Sequence, residues 1–226
     1  MKIITGASRG IGKYLLERYH DEYETVEGVF FYTEPYARYY DHYSRLDISD
    51  FAEVSDWLND IDIGDRVELI NCAGIYYNSF AHDSEIDKWE RVIEINLVGT
   101  FNVIRALLPH MRCHNYGRIV NLSSVVDKLG IAGTSAYAAS KSGLEGLVKV
   151  LAIENASKGI TINNLRLGYF DIGMGREIPS SLKGKISERI PTHKFGRPDH
   201  IYDAIEFLIK NDYINGSSLD LNGGLT

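Results

Sequence analysis

The eight residues from Thr5 to Gly12, T-G-A-S-R-G-I-G, restrict the fold more than any other stretch of the chain. They follow a short apolar run, Lys2–Thr5, and lead into a segment with helical periodicity, Ile11–His20. A strand that turns on glycines into a helix leaves bare backbone at the turn, and the helix N-terminus offers free amide donors to an anion. Gly6, Gly10 and Gly12 are spaced G-x-x-x-G-x-G, which misses the common dinucleotide fingerprint G-x-G-x-x-G. A tight turn alone could account for the glycines. The argument for a nucleotide phosphate therefore rests on the loop's place at the first of an alternating series of strands and helices.

That series runs through all 226 residues with neither an internal repeat nor a low-complexity linker. Short apolar runs predict strands at Lys2–Thr5, Thr25–Tyr32, Ser44–Leu46, Val67–Asn71, Arg118–Leu122, Thr161–Leu167 and Ser218–Leu221. Helical patterns lie between them at Ile11–His20, Phe51–Asn59, Lys88–Met111, Ala136–Ser157 and Asp199–Lys210. Strands that read as continuous apolar runs belong to a parallel sheet covered on both faces. The expectation is an α/β chain: a single Rossmann-like, doubly wound domain over residues 1–226, with a parallel sheet of about seven strands.

Composition narrows the function. Twenty-four basic against 31 acidic residues give a formal charge of −7 with no basic block, which argues against nucleic acid as a partner. Cys72 and Cys113 stand in no C-x-x-C or Cys/His spacing, so reduced thiols are expected and no metal site. No run approaches 18 apolar residues and the chain opens directly on the first strand. We therefore expect no membrane span, no signal peptide and a cytoplasmic location.

The chemistry-bearing stretch is L-S-S-V-V-D-K-L-G-I-A-G-T-S-A-Y-A-A-S-K-S-G, Leu122 to Gly143. Tyr137 and Lys141 are four apart in a helical pattern, which puts them on one face about 5–6 Å apart at Cβ. A phenol of pKa about 10 is a poor base at neutral pH. An ammonium roughly 5 Å away, at an effective dielectric of about 20, favours the phenolate by around 3 kcal/mol, or about two pKa units. That holds only in a partly desolvated cleft, and Y-x-x-x-K by itself also arises by accident on helix surfaces.

Taken together, T-G-A-S-R-G-I-G, the N-C-A-G of Asn71 to Gly74, Asn96 in E-I-N-L-V-G, Ser124, and Tyr137 with Lys141 resemble the short-chain dehydrogenase/reductase family, in a short variant of its classical type. The 13 positions from Ser124 to Tyr137 and the closing S-S-L-D-L-N-G-G match as well. The resemblance implies an oxidoreductase that moves a hydride between NAD(P)(H) and the carbonyl or alcohol carbon of a small polar substrate. It implies that Ser124 holds the carbonyl oxygen, Tyr137 exchanges the proton, Lys141 lowers the tyrosine pKa and holds the nicotinamide ribose, and Asn96 holds a relay water. The cofactor would be held by Gly6, Ser8, Arg9, Gly10, Ile11 and Gly12, by Asp47 at the adenine, by Asn71, Ala73 and Gly74, by Tyr137 and Lys141, and by Gly168, Phe170 and Ile172. Phe170 and Ile172 serve through their backbones, because Leu167 and Ile172 replace the family's usual proline and threonine after the sixth strand.

Other positions bear on the choice of cofactor and substrate. An acid roughly 20 residues beyond the glycines would bond the 2′-hydroxyl of NAD. That zone holds Phe30, Phe31 and Tyr32, with Glu27 early and Glu34 late, while Arg9 could meet a 2′-phosphate. NADP(H) is thus expected ahead of NAD(H). Asp47 also reads as a start signal for the next helix, and Cys72 as a buried filler. The tyrosines from Tyr32 to Tyr43 (Tyr32, Tyr36, Tyr39, Tyr40, Tyr43) read as packing on a sheet edge. Residues 173–197 form the expected substrate loop, with a short apolar helix inside it and His193 and Lys194 near its end. Apolar stripes on Lys88–Met111 and Ala136–Ser157 exceed what a sheet face covers, and by resemblance they pair into a homodimer or homotetramer. A regulatory nucleotide-binding protein on the same fold is the alternative, although it would not need the Asn/Ser/Tyr/Lys set. A nucleotide-sugar epimerase is disfavoured by the short stretch after Asp171.

Overall fold

The computed structural model describes residues 1–22, 25–35 and 41–225. Seven strands, β1 (Lys2–Thr5), β2 (Val26–Phe30), β3 (Tyr43–Arg45), β4 (Glu68–Asn71), β5 (Gly117–Ser124), β6 (Ile160–Leu167) and β7 (Ser218–Leu221), form one parallel sheet in the order β3-β2-β1-β4-β5-β6-β7. This is the expected doubly wound, Rossmann-like sheet, and its strand order reverses between β1 and β4. In such sheets ligands lie at the carboxyl ends of the strands beside that switch point.

Alternation along each strand divides the core. Ile3, Leu69 and Ile119 face one side, where they pack with Val54 and Trp57 of α2 (Phe51–Asp60), Ile104 and Leu107 of α4 (Thr100–His114) and Val148 and Leu151 of α6 (Ser135–Asn155). Ile4, Ile70 and Val120 face the other, against Leu15 and Leu16 of α1 (Gly10–Glu22) and Ile201 and Ile205 of α8 (Pro198–Lys210). Period-2 strands sandwiched between amphipathic helices explain why both strand faces are apolar.

One row of strand residues is polar. Thr5, Asn71, Asn121, Asn164 and Ser218 lie in register across β1, β4, β5, β6 and β7. Thr5 Oγ1 donates to Asn71 Oδ1 (3.3 Å), Asn71 Nδ2 to Asn121 Oδ1 (2.8 Å), Asn121 Nδ2 to Asn164 Oδ1 (3.2 Å) and Asn164 Nδ2 to Ser218 Oγ (3.2 Å). Buried amides need partners, and this ladder supplies them across five strands. It also ties the strand ends that carry the cleft to one another.

Several boundaries differ from expectation. β2 ends at Phe30, where pairing with β3 stops, and Tyr32 is exposed. Tyr43 packs under the cleft, its hydroxyl donating to the carbonyl of Ala7 at 3.0 Å, whereas Tyr36, Tyr39 and Tyr40 lie outside the described residues. The long third helix runs continuously from Ile86 to His114 but in three pieces: α3 (Ile86–Ile93), a π-helical segment Glu94–Gly99, and α4. It is long and apolar enough by composition to cross a bilayer. Half of its most apolar window is buried within the molecule, as befits a core helix. The helix expected inside the substrate loop exists as α7 (Ser180–Arg189), but S-S-L-K-G-K-I-S-E-R is polar and buries no residue, contrary to the apolar helix expected. A one-turn helix, α5 (Val126–Leu129), was not foreseen, being too short to show a period.

Candidate active site

A cleft of about 1180 Å³ opens at the carboxyl ends of the strands. Its lining includes Gly6, Ser8, Arg9, Gly10, Ile11, Gly12, Asp47, Ala73, Gly74, Ser124, Tyr137, Lys141, Gly168, Phe170 and Ile172, which brings together fifteen of the seventeen residues expected from sequence.

The glycine loop is built for close approach. Gly6 has φ +66°, and a Cβ there would lie 2.7 Å from the Cα of Ala73, while one on Gly12 would lie 2.3 Å from the carbonyl oxygen of Gly6. Only bare backbone fits, so the start of α1 presents its amides to the cleft with nothing in front of them. A phosphate-bearing dinucleotide fits this cradle: the amide-rich helix start would hold its pyrophosphate, and the elongated cleft continues from there to Tyr137.

Asn71 and Asn96 are the two expected residues that stand behind the wall. The side chain of Asn71 is committed to the ladder beneath the cleft. Asn96 is fully buried in the π-helical segment. Its Oδ1 accepts from the amide of Ile75 (2.8 Å), and its Nδ2 donates to the carbonyl of Ile75 (2.9 Å) and to Ser140 Oγ (3.1 Å). The side chain thus clamps the chain after β4 to α6. Its backbone carbonyl accepts from Thr100 Oγ1 at 2.9 Å. A π-bulge rotates one residue inward relative to an α-helix, a local irregularity that frequently accompanies function. Gly74 lies beside this clamp: a Cβ there would sit 3.3 Å from Asn96 Oδ1, a tight contact, and 3.9 Å from Lys141 Nζ.

Ser124 ends β5, and Tyr137 and Lys141 project from α6, so helix spacing and strand register together place all three in one corner of the cleft. The Ser124 hydroxyl hydrogen-bonds the Tyr137 phenol. Lys141 Nζ donates to the carbonyl of Leu122 at 2.7 Å and lies 5.5 Å from the Tyr137 ring centre. The expected electrostatic effect is reversed in this form of the protein. Burial pushes the phenol up to about 12, against the Ser124 hydrogen bond that favours phenolate, and burial lowers the ammonium to about 8. A corner dry enough to strengthen the charge pair also makes each charge costly, and desolvation prevails. Cys72 is inert by the same cause, its thiol pushed well up by burial.

At the adenine end Asp47 lines the cleft, yet its carboxylate is already engaged. Oδ2 accepts from Arg91 (2.6 Å) and Oδ1 from the amide and hydroxyl of Ser49 (2.9 and 2.6 Å). The helix-start role that Asp47 could have had falls to Asp50, which caps α2. Arg91 itself, on the cleft wall, was overlooked in the sequence because it sits five residues before Asn96 on a face that looks like a solvated stripe. Glu27 is spent on Ser44 at 2.5 Å.

The opposite wall is the loop expected to meet substrate. Its base is closed by a bridge between Phe170 and Gly196, with the Asp171 amide donating to Gly196 O (3.1 Å) and the Gly196 amide to Tyr169 O (2.9 Å). Gly173, at φ +56°, packs on Gly10. Across the mouth, Glu177 accepts from the Tyr76 hydroxyl (3.1 Å) and pairs with Arg9 (3.9 Å). Val126, Ile131, Tyr169, Met174 and Ile178 add apolar surface to the cleft lining, and Asn78 and Thr134 polar groups. Ile172 turns its side chain into the core.

A parallel doubly wound sheet with a glycine cradle at β1 and a Ser/Tyr/Lys corner across the cleft defines a nucleotide-dependent oxidoreductase of the α/β class. The family model for short chain dehydrogenases matches residues 1–183. The chain is 33% identical over 232 residues to an acetoacetyl-CoA reductase of Rhizobium meliloti, covering 98% of this chain and 96% of that one. It is 32% identical to the 3-oxoacyl-[acyl-carrier-protein] reductase FabG of Salmonella typhimurium, covering 99% and 96%. A crystal structure of a 3-oxoacyl-[acyl-carrier protein] reductase from Brucella melitensis superposes with a TM-score of 0.88 at 27% identity, over 99% of this chain and 90% of that one. The protein belongs to the short-chain dehydrogenase/reductase family of NAD(P)-dependent oxidoreductases.

Proposed function

We propose that this protein is a single-domain, cytoplasmic NADPH-dependent reductase of a ketone in a small molecule, with Ser124, Tyr137 and Lys141 as its catalytic residues and residues 173–197 as its substrate loop. The observation that carries the proposal is the convergence of these three side chains in one buried corner between the glycine cradle and the loop. When bound, the nicotinamide supplies the hydride. Ser124 donates a hydrogen bond to the substrate carbonyl oxygen, and Tyr137 gives that oxygen its proton. Lys141 opposes the burial that otherwise keeps the phenol a weak acid, and Asn96 fixes the segment after β4 against α6 so that the corner keeps its shape.

NADPH is favoured over NADH by the state of the acids. Glu27 is bound to Ser44 and Asp47 to Arg91, while Arg9 is largely exposed at the cleft. The apolar surface of Val126, Ile131, Met174 and Ile178 suits a carbonyl with a short hydrocarbon arm, and relatives named as reductases of acetoacetyl-CoA and 3-oxoacyl thioesters agree with that. Val98, Phe101, Val150 and Ile153 are exposed, Ile153 by 83%, along the segment Glu94–His114 and α6. That surface supports a homodimer or homotetramer.

The test follows NADPH absorbance with a panel of 3-oxoacyl thioesters and simple ketones. Wild type oxidises NADPH with at least one of them and prefers it to NADH. Tyr137→Phe loses about 10²- to 10⁴-fold in turnover with NADPH affinity retained. A wild-type rate in that variant refutes the assignment.

A further inference from the structure

Behind the catalytic corner, outside the cleft, lies a buried network of charges that the proposed chemistry does not use. Arg166 sits on β6, opposite Ser123 of β5, and its side chain is 6% exposed. Its Nε donates to Asp127 Oδ2 at 2.9 Å, its Nη2 to Glu145 Oε1 at 2.5 Å and its Nη1 to Asp220 Oδ1 at 2.6 Å. Lys128 adds a bond to Asp220 (2.9 Å), and Ser218, the last member of the polar ladder, donates to Glu145 (2.6 Å). One guanidinium thereby joins α5, α6 and β7, using donors on all three of its nitrogens.

The placement of the three acids gives the network its meaning. Asp127 lies three residues after Ser124, in the single turn of α5, and the amide of Val126 between them donates to Ser124 Oγ at 3.4 Å. Glu145 is four residues beyond Lys141 and eight beyond Tyr137, on the same face of α6. A four-residue helix has little stability of its own, since nucleating a turn costs more than a turn returns. Asp127 is 4% exposed, and its Oδ1 meets no partner among the described residues, so the charge on this turn depends on Arg166.

We propose that Arg166 is a positioning residue: by clamping Asp127 to Glu145 it sets the distance between the loop carrying Ser124 and the helix carrying Tyr137. This rests on the reading of Ser124 and Tyr137 as the catalytic pair. Among the described residues lining the cleft, none of Asp127, Glu145, Arg166 and Asp220 occurs, so the effect passes through Ser124 and not through contact with substrate. With the clamp removed, α5 shifts, the Ser124–Tyr137 hydrogen bond loosens, and both the carbonyl's donor and the phenol's acidity are lost together.

The experiment compares Arg166→Met, Arg166→Lys and Asp127→Asn with wild type and Tyr137→Phe. It reads NADPH oxidation with an active ketone across pH, together with NADPH affinity by fluorescence. Arg166→Met and Asp127→Asn are expected to keep NADPH affinity and substrate KM while kcat falls by about 10- to 100-fold, the usual scale for a small misplacement of reacting groups. The limb of the kcat profile that reports the Tyr137 acid moves to higher pH, because the hydrogen bond that favours its phenolate is weakened. Arg166→Lys, which keeps the charge but not the fork, recovers part of both. Arg166→Met leaves three acids without their counter-charge and can fail to fold, in which case Asp127→Asn, isosteric and neutral, decides. Wild-type kcat and an unmoved limb in either folded variant overturn the proposal. If the catalytic reading is at fault instead, Tyr137→Phe turns over like wild type; if only the clamp is at fault, Tyr137→Phe is dead while the clamp variants are active.

Discussion

The two walls of the cleft are held in place by opposite means. On the sheet side, the loops after β1 and β4 approach so closely that a Cβ on Gly6 would strike the Ala73 backbone, and the strands beneath them share a ladder of amides from Thr5 to Ser218. On the loop side, α7 buries no residue, and the segment is tied to the sheet wall by its base at Phe170 and Gly196, by the contact of Gly173 with Gly10 and by Glu177 at the mouth. The first wall is specified by backbone and buried polar groups, in which a change at one position leaves a clash or an orphan at another. The second is anchored at its base by Phe170, Gly196 and the buried Ile190, but its helix carries exposed side chains that can be exchanged almost independently. A dinucleotide is common to many reductases and a substrate is not, so one fold keeps the first wall and varies the second.

The largest effect should follow from breaking the sheet wall at its tightest point. Gly6→Ala puts a methyl group 2.7 Å from the Ala73 Cα in a left-handed backbone. The strain and overpacking together cost about 3 kcal/mol or more. The expected result is a melting temperature lowered by many degrees and no measurable NADPH binding, seen by circular dichroism and fluorescence. Intact NADPH affinity would mean that the glycine loop is not the cradle.

Next in size is Asn121→Leu, in the middle of the ladder. The new side chain has nearly the same volume but strands Asn71 Nδ2 and Asn164 Oδ1, each at about 1–3 kcal/mol. Thermal unfolding should shift down by several degrees, while kcat of the folded enzyme stays within a few-fold of wild type. A stable variant would show that the ladder is incidental to the sheet wall.

How much of this could be read in advance follows the same division. The doubly wound parallel sheet was legible because apolar periodicity is a local signal, whereas the glycine cradle and the Ser/Tyr/Lys corner were expected through the family resemblance, the glycine spacing and the i, i+4 pair being ambiguous when taken alone. The side-chain partners of Asn71 and Asn96 were not legible, because a ladder through five strands and a clamp onto Ile75 are made of contacts 21 to 66 positions apart. Nor was the pKa of Tyr137, since burial is a property of the assembled cleft and outweighs the neighbouring charge. On the loop side the helix was foreseen but not its character, as the polar residues around isolated Leu182 and Ile186 carry little periodicity.

A pH titration sharpens the comparison at the boundary of the two walls. Burial lowers Lys141 from its usual 10.5 to about 8 in the free protein. A cofactor with phosphate charges favours the ammonium, so NADPH affinity should be greatest below pH 8 and weaken as the pH rises through about 8. In Lys141→Met that dependence disappears. The free protein should gain stability from this group between pH 8 and 10.5, where the unfolded chain still binds the proton that the folded chain has released. A flat affinity in wild type from pH 7 to 9.5 would place Lys141 away from the nucleotide.

The smallest effect belongs to the loop side. Glu177 joins the loop to Tyr76 and to Arg9, yet Arg9 and Glu177 are both more than half exposed, at 61% and 52%, and exposed pairs contribute roughly 0–1 kcal/mol. Glu177→Gln should therefore leave the melting temperature unchanged within a degree or two. It frees Arg9 from a carboxylate that competes with a 2′-phosphate for the same guanidinium. NADPH affinity should rise by a few-fold, affinity for NADH should stay constant, and the preference between the two should fade as salt is added. Equal changes for both cofactors would show that Glu177 acts on the loop as a whole and that the two walls are coupled through more than one arginine.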